Sequence, residues 1–130
     1  MVSSIPVSEP CLVGRELELV SDAVRSGWVS SAGPYIDKFE KNFAAYHGVK
    51  HCVALANGTA ALEVSLHAIG VKPGDEVIIP SFTIISLALA VLRLGAIPRL
   101  VDVDPDNWNL TAEGVQAALS DKTRAVIMVH

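Results

Sequence analysis

From residue 51 onward the chain alternates short aliphatic runs with longer stretches rich in Ala and Leu, and most of these segments end at Gly or Pro. The aliphatic runs predict four strands, at residues 51–56, 77–80, 97–103 and 124–129. Helices are predicted between them, at residues 59–69, 84–94 and 112–119. Strands that alternate with helices build a largely parallel sheet covered by helices on both faces. The sequence therefore predicts an α/β fold.

The first fifty residues have a different organisation. Apolar residues at helical spacing predict one helix over Arg15–Arg25, stopped by Gly27, and a second that begins at Pro34 and is ended by Gly48. We expect a single partial domain, with N-terminal helices and a loop in residues 1–50 and the start of the α/β part in residues 51–130. The sequence stops at the end of a predicted strand, where α/β sheets bind ligands, which indicates a truncation.

Composition excludes several classes of function. The net charge is -4 and the basic residues are scattered, so no nucleic-acid surface is expected. The uncharged segment between Glu76 and Arg93 is shorter than the ~20 residues a membrane span needs. Cys11 and Cys52 lack the spacing of a disulfide framework or a metal site. Residues 1–10 lack the features of a signal peptide, so we expect a cytoplasmic protein. Because the cysteines lack metal-type spacing, we expect no bound metal.

The turn Asn57-Gly58-Thr59 joins a predicted strand to a predicted helix. Unpaired N–H groups and the helix dipole at such a start favour a phosphate group, and glycine lets the ligand come close to the backbone. An ordinary capped junction is the commoner interpretation of this pattern taken alone. The turn matches neither a Walker loop nor the dinucleotide-binding fingerprint.

A second strand-to-helix turn, Pro80-Ser81-Phe82-Thr83-Ile84, follows the next predicted strand. In a parallel sheet it would open on the same edge as the first turn, so both could line one crevice. The alternative is that Phe82 and Ile84 belong to the core.

Read in order, these pieces resemble one enzyme family. The segments that carry the resemblance are SGWVS (26–30), GP (33–34), FE (39–40), NGTAAL (57–62), GDEVI (74–78), PSFT (80–83), GA (95–96), VDVD (101–104), KT (122–123) and VH (129–130). Together they are similar to the DegT/DnrJ/EryC1/StrS family of sugar aminotransferases, in particular to members resembling perosamine synthases. The resemblance implies the N-terminal part of the large domain of a fold-type I enzyme, which is like aspartate aminotransferase and binds pyridoxal 5'-phosphate (PLP).

The resemblance also implies roles for particular residues. In the family, the position of Gly58 and Thr59 binds the PLP phosphate through backbone and hydroxyl groups. Ile84 stands where most members place an aromatic ring against the pyridine face, so apolar packing would replace ring stacking here. Trp28 and Ser30 lie in a loop that is near the active site in similar enzymes, and they are candidate substrate contacts.

The reaction implied by the resemblance moves an amino group from an amino acid, with glutamate as the expected donor, to a nucleotide-linked keto sugar. The full-length enzyme would be a homodimer. The aspartate that holds the pyridine nitrogen and the lysine that forms the Schiff base both lie beyond the position of His130 in similar enzymes. We therefore expect no catalytic residue in this chain, and no activity from the chain alone.

Three other functions stay open at this stage. Some family members have histidine in place of the lysine and dehydrate the sugar, and the residue that decides this lies outside the chain. A nucleotide-binding α/β module without catalysis is a second alternative, although the chain lacks the glycine-rich fingerprint. A catalytically dead fragment that only binds a partner is the third.

Overall fold

A computed structural model describes residues 5–6 and 8–130. The chain separates into two compact units, of which the first ends at Ala54 and the second is Leu55–His130. Each unit has its own secondary structure.

The first unit contains helices α1 (Glu16–Ser26) and α2 (Pro34–His47). Both end at a glycine in the left-handed conformation, Gly27 with φ 76° and Gly48 with φ 64°. Glycine adopts this conformation without the steric cost that a Cβ brings, which is why a helix so often stops there. The two helices predicted from the sequence are confirmed, with bounds that agree to within one residue.

A hydrogen bond between side chains joins α1 to α2. The hydroxyl of Tyr35 donates to Oδ2 of Asp22 over 2.6 Å. This bond holds the proton on the phenol and raises the pKa of Tyr35 above its usual 10. The contact remains exposed to solvent, so it orients the helices more than it stabilises them.

The second unit alternates helices and strands along the chain. Its elements are α3 (Gly58–Ala68), β1 (Glu76–Pro80), α4 (Ser86–Arg93), β2 (Ile97–Val101), α5 (Ala112–Ala118) and β3 (Thr123–Val126). The strands form one sheet in the order β2-β1-β3, and both pairings are parallel. The predicted α/β fold with a parallel sheet is confirmed.

The central strand β1 organises the core. Its side chains alternate between the two faces of the sheet, as side chains do in any strand. Val77 and Ile79 pack with residues of α3 and α4 such as Leu66 and Val91. Ile78 faces the other way and packs with the cluster that α5 covers. Helices thus lie on both faces of the sheet, as the sequence predicts.

One predicted strand is absent from the described residues. Residues 51–55 have no regular secondary structure and residue 56 lies in a bend, so none of them belongs to a strand. A strand needs backbone hydrogen bonds to a neighbour, and the described part of the chain offers this segment none. The amide of Ala54 instead donates to the carboxylate of Glu40 over 2.8 Å. The prediction of four strands was wrong for this reason, and β2 and β3 are also shorter than predicted.

Among the described residues, no helix combines the length and the apolar character that crossing a membrane requires. Cys11 and Cys52 are both free thiols.

Because Ile79 is almost completely buried between the sheet and two helices, the Ile79→Ala variant should lose much of the stability of the second unit. We expect a decrease in the free energy of unfolding of about 2–5 kcal/mol. Leu100→Ala is the matched control, since Leu100 lies on the edge strand β2 and is 63% exposed. Urea unfolding followed by circular dichroism should separate the two variants. Equal losses would show that β1 is not the centre of the core.

Candidate functional site

The start of helix α3 is set by Asn57. Its backbone is extended, with φ -166° and ψ 171°, and its side-chain Oδ1 accepts a hydrogen bond from the amide of Ala60 over 2.9 Å. Its carbonyl oxygen accepts the amide of Ala61 over 3.1 Å. Asparagine in this conformation is one of the best residues for beginning a helix, because it pairs an amide that the helix leaves free.

Two further amides at this helix start have no acceptor. Neither the N–H of Gly58 nor that of Thr59 finds a hydrogen-bond partner among the described residues. The first turn of α3 holds no acidic residue that would offset the positive end of the helix dipole. These groups form a donor set suited to an anion such as a phosphate group.

The backbone around Gly58 is open. A Cβ added to Gly58 would meet no atom within 4 Å, and its φ lies outside the left-handed region. Neither packing nor backbone conformation within the chain therefore requires glycine at this position. The free space beside the backbone is where a ligand could approach the two amides.

A cleft of about 340 Å³ adjoins this helix start. Its walls come from α3, from α4 and from the turn before α3, and the lining residues are Asn57, Thr59, Ala60, Glu63, Ser86, Leu89 and Arg93. Glu63 and Arg93 form an ion pair across the two helices. The guanidinium neutralises the one carboxylate in the cleft, which would otherwise repel an anion bound at Thr59.

A second cleft, of about 450 Å³, lies at the carboxyl edge of the sheet. Its lining residues all come from segments that follow a strand, namely Phe82, Thr83, Ile84, Asn107, Trp108, Asn109, Val129 and His130. This edge is where open α/β sheets bind their ligands. Ile84 is 67% exposed and Phe82 is 63% exposed, so the alternative that both belong to the core was wrong.

The beginning of α4 connects the two clefts. Ser86 is the first residue of α4 and lines the cleft beside Thr59, while Ile84, two residues earlier, lines the cleft at the sheet edge. Packing between α3 and α4 brings these segments together. The sequence predicted that two neighbouring strand ends would bring the two turns together. The segment before Gly58 is not part of the sheet, so the packing of α3 on α4 has this role instead.

The other two predicted contacts lie in the first unit. Trp28 and Ser30 belong to the loop between α1 and α2 and line a groove of about 410 Å³ formed within that unit. Trp28 is 51% exposed, so its indole is available to a ligand. Their role at a substrate stays a prediction.

Sequence reasoning missed the loop after β2 as part of a site. The sequence suggested no functional role for this loop, yet Asn107, Trp108 and Asn109 line the same cleft as Ile84. One signal was available in the sequence. Trp108 directly follows residues typical of a turn, Asp104-Pro105-Asp106-Asn107, and a side chain in such a surface turn is not expected to be buried. In the part of the chain that the structure describes, no group of three or more His, Cys, Asp and Glu residues could hold a metal ion.

The fold matches that of solved enzymes. A sugar aminotransferase from Streptococcus pneumoniae, in the PMP form, superposes with a TM-score of 0.84 and 33% sequence identity, over 97% of this chain and 32% of that enzyme. The chain thus has the fold of a fragment of the larger domain of PLP-dependent sugar aminotransferases. The DegT/DnrJ/EryC1/StrS aminotransferase family model matches residues 10–130, and the chain belongs to this family.

Two curated relatives are named GDP-perosamine synthase. The one from Caulobacter vibrioides is 47% identical over 126 residues, and the one from Vibrio cholerae is 41% identical over the same length. Each alignment covers 97% of this chain but 34% of the relative. The chain therefore spans about a third of the length of the curated relatives it matches.

The cap at Asn57 leads to a prediction about stability. Asn57→Ala removes the acceptor for the amide of Ala60, and we expect it to destabilise the second unit by about 0.5–2 kcal/mol. Asn57→Asp is the control, because a carboxylate can accept the same bond and also suits the helix dipole. Thermal unfolding measures both variants. If the alanine variant melts like the parent, the cap does not set the start of α3.

Proposed function

We propose that this chain forms the phosphate-binding part of a PLP-dependent enzyme that transfers an amino group from an amino acid, with glutamate as the expected donor, to a nucleotide-linked keto sugar. The observation that carries the proposal is the open start of α3, where Gly58 and Thr59 present two unpaired amides beside free space. The names of the family and of the relatives support the reaction class.

The residues at the start of α3 fit the phosphate of PLP. In the proposed complex the amides of Gly58 and Thr59 donate to phosphate oxygens, and the hydroxyl of Thr59 donates a further hydrogen bond. The positive end of the α3 dipole adds to this attraction without any side-chain charge. When it is bound, PLP supplies the electron sink of the reaction and carries the amino group between the two substrates.

Ile84 is proposed to form one wall for the cofactor ring. An aliphatic side chain offers apolar contact and excludes water, but it lacks the specific ring geometry that an aromatic residue would add. Trp28 and Ser30 are proposed to reach the sugar-nucleotide substrate. The complete enzyme is proposed to be a cytoplasmic homodimer.

The central test is a chimera in which this chain replaces the matching segment of the Caulobacter vibrioides GDP-perosamine synthase. In this chimera, Thr59→Ala should weaken PLP binding by about 1–3 kcal/mol, the usual loss for a hydrogen bond to a charged group. This loss corresponds to an increase in Kd of roughly 5- to 150-fold. Fluorescence titration of the cofactor gives the Kd.

The matched control is Thr111→Ala, because Thr111 caps α5 through a 3.0 Å bond from the amide of Gly114. It should lower stability but leave the PLP affinity unchanged. Gly58→Ala should weaken PLP binding but leave the stability unchanged. The chain itself has room for the added methyl group, whereas the methyl group would collide with a bound phosphate. An unchanged Kd in both the Gly58 and Thr59 variants would refute the phosphate site.

The chain is also proposed to lack the lysine that binds PLP covalently. Borohydride reduction of the isolated chain in the presence of PLP, followed by peptide mass spectrometry, should find no lysine labelled stoichiometrically. The same treatment of the chimera should label a single lysine outside the segment that this chain supplies. A fully labelled lysine within the isolated chain would contradict this assignment.

A further inference from the structure

Two contacts of different kinds join the turn after β1 to the loop after β2. The hydroxyl of Ser81 donates to Oδ1 of Asp102 over 3.1 Å. One residue further along, the ring of Phe82 lies against that of Trp108, with centroids 4.8 Å apart and planes inclined by 46°. The turn that carries Ile84 is thus held from the side by residues distant in sequence.

The first contact is well oriented. Oδ1 of Asp102 also accepts the amide of Val103 over 2.9 Å, which fixes the carboxylate toward Ser81. The amide of Ser81 donates to the carbonyl of Val101 over 2.8 Å, so the pairing of β1 with β2 continues one residue beyond Pro80. The backbone hydrogen bond alone therefore fixes the position of Ser81, and its side-chain bond to Asp102 is additional.

The second contact depends on a strained backbone. Trp108 has φ 62°, a conformation that residues with a Cβ seldom adopt and that persists where surrounding bonds enforce it. The carboxylate of Asp104 accepts hydrogen bonds from the amides of Asp106 and Asn107. The main-chain carbonyl of Asp104 accepts the amide of Trp108 over 2.8 Å. These bonds hold the indole against Phe82.

Burial of apolar surface does not account for the aromatic pair. Phe82 is 63% exposed and Trp108 is 58% exposed, and neither belongs to a buried cluster of the second unit. Both rings instead line the same cleft as Ile84. Contacts that leave two large rings in solvent contribute little to the core, but they do restrict where the turn can lie.

We propose that Ser81, Phe82, Asp102 and Trp108 form a clamp that positions Ile84 against the cofactor ring. These are positioning residues, since they act through the turn and not on the reacting atoms. The inference rests on the proposed function, because it needs a cofactor in the cleft at the sheet edge. The clamp would explain how the exposed turn after β1, which offers only the aliphatic side chain of Ile84, can hold the cofactor ring in one orientation.

The sharpest variant is Trp108→Gly, examined in the chimera. Glycine accepts positive φ without strain, so the loop keeps its conformation while the ring is lost. We expect the Kd of PLP to increase roughly two- to twelvefold, the range for loss of one aromatic pair. The circular dichroism of bound PLP in the visible region should also change, because it reports the orientation of the ring. Trp108→Phe keeps a ring and should stay near the parent in both measurements.

The hydrogen-bonded half of the clamp has its own pair of variants. Asp102→Ala removes the acceptor for Ser81 and should change the dichroism in the same direction, whereas Asp102→Asn keeps an acceptor oxygen and should not. If Trp108→Gly and Asp102→Ala lower the melting temperature but leave the Kd and the dichroism per bound cofactor unchanged, the clamp is overturned and the proposed function stands. A parent chimera that folds but does not bind PLP overturns both.

Hydrogen exchange on the chain itself provides a test that needs neither cofactor nor chimera. Trp108→Gly should speed the exchange of the amides of Leu87 and Leu89, which donate to the carbonyls of Ile84 and Ile85, while Trp108→Phe should not, because only the glycine variant frees the turn. Equal protection of the Leu87 and Leu89 amides in the two variants would overturn the clamp.

Discussion

The buried strand β1 is the constraint on which the rest of the second unit depends. It is hydrogen-bonded on both sides, to β2 and to β3, and its residues from Val77 to Pro80 are all buried. Because its side chains alternate, one strand anchors α3 and α4 on one face of the sheet and α5 on the other. Its carboxyl end must then emerge at the edge of the sheet, where the turn to α4 and the cleft are found.

The proposed phosphate site depends on backbone groups more than on charged side chains. The amides of Gly58 and Thr59 are the donors, and the helix dipole adds positive potential. Asn57 fixes the helix start, because its side chain accepts the amide of Ala60. The ion pair between Glu63 and Arg93 complements this design, since it keeps the cleft free of uncompensated negative charge. Such a site is insensitive to small movements of side chains, and it depends on whether α3 begins at Gly58.

Helical periodicity predicted faces correctly but not their burial. Leu17, Val20 and Val24 share one face of α1, as their spacing indicates, yet all three side chains are exposed. The spacing of apolar residues indicates which side chains share a helix face. Whether that face is buried depends on another element that packs against it. The family resemblance supplied the proposed cofactor contacts of Gly58, Thr59 and Ile84, which no periodicity could have indicated.

The sequence by itself determined what depends on neighbouring residues. Gly27 and Gly48 end their helices, Asn57 and Thr111 begin theirs, and the apolar run of β1 forms a strand, because caps, turns and alternation act within a few residues. Tertiary structure alone decided the rest. Residues 51–56 form no strand because strand pairing needs a partner, and Trp108 joins the site because a loop 26 residues away from Phe82 folds against it. Contacts between distant segments leave no local pattern, since each depends on where both segments are carried by the sheet.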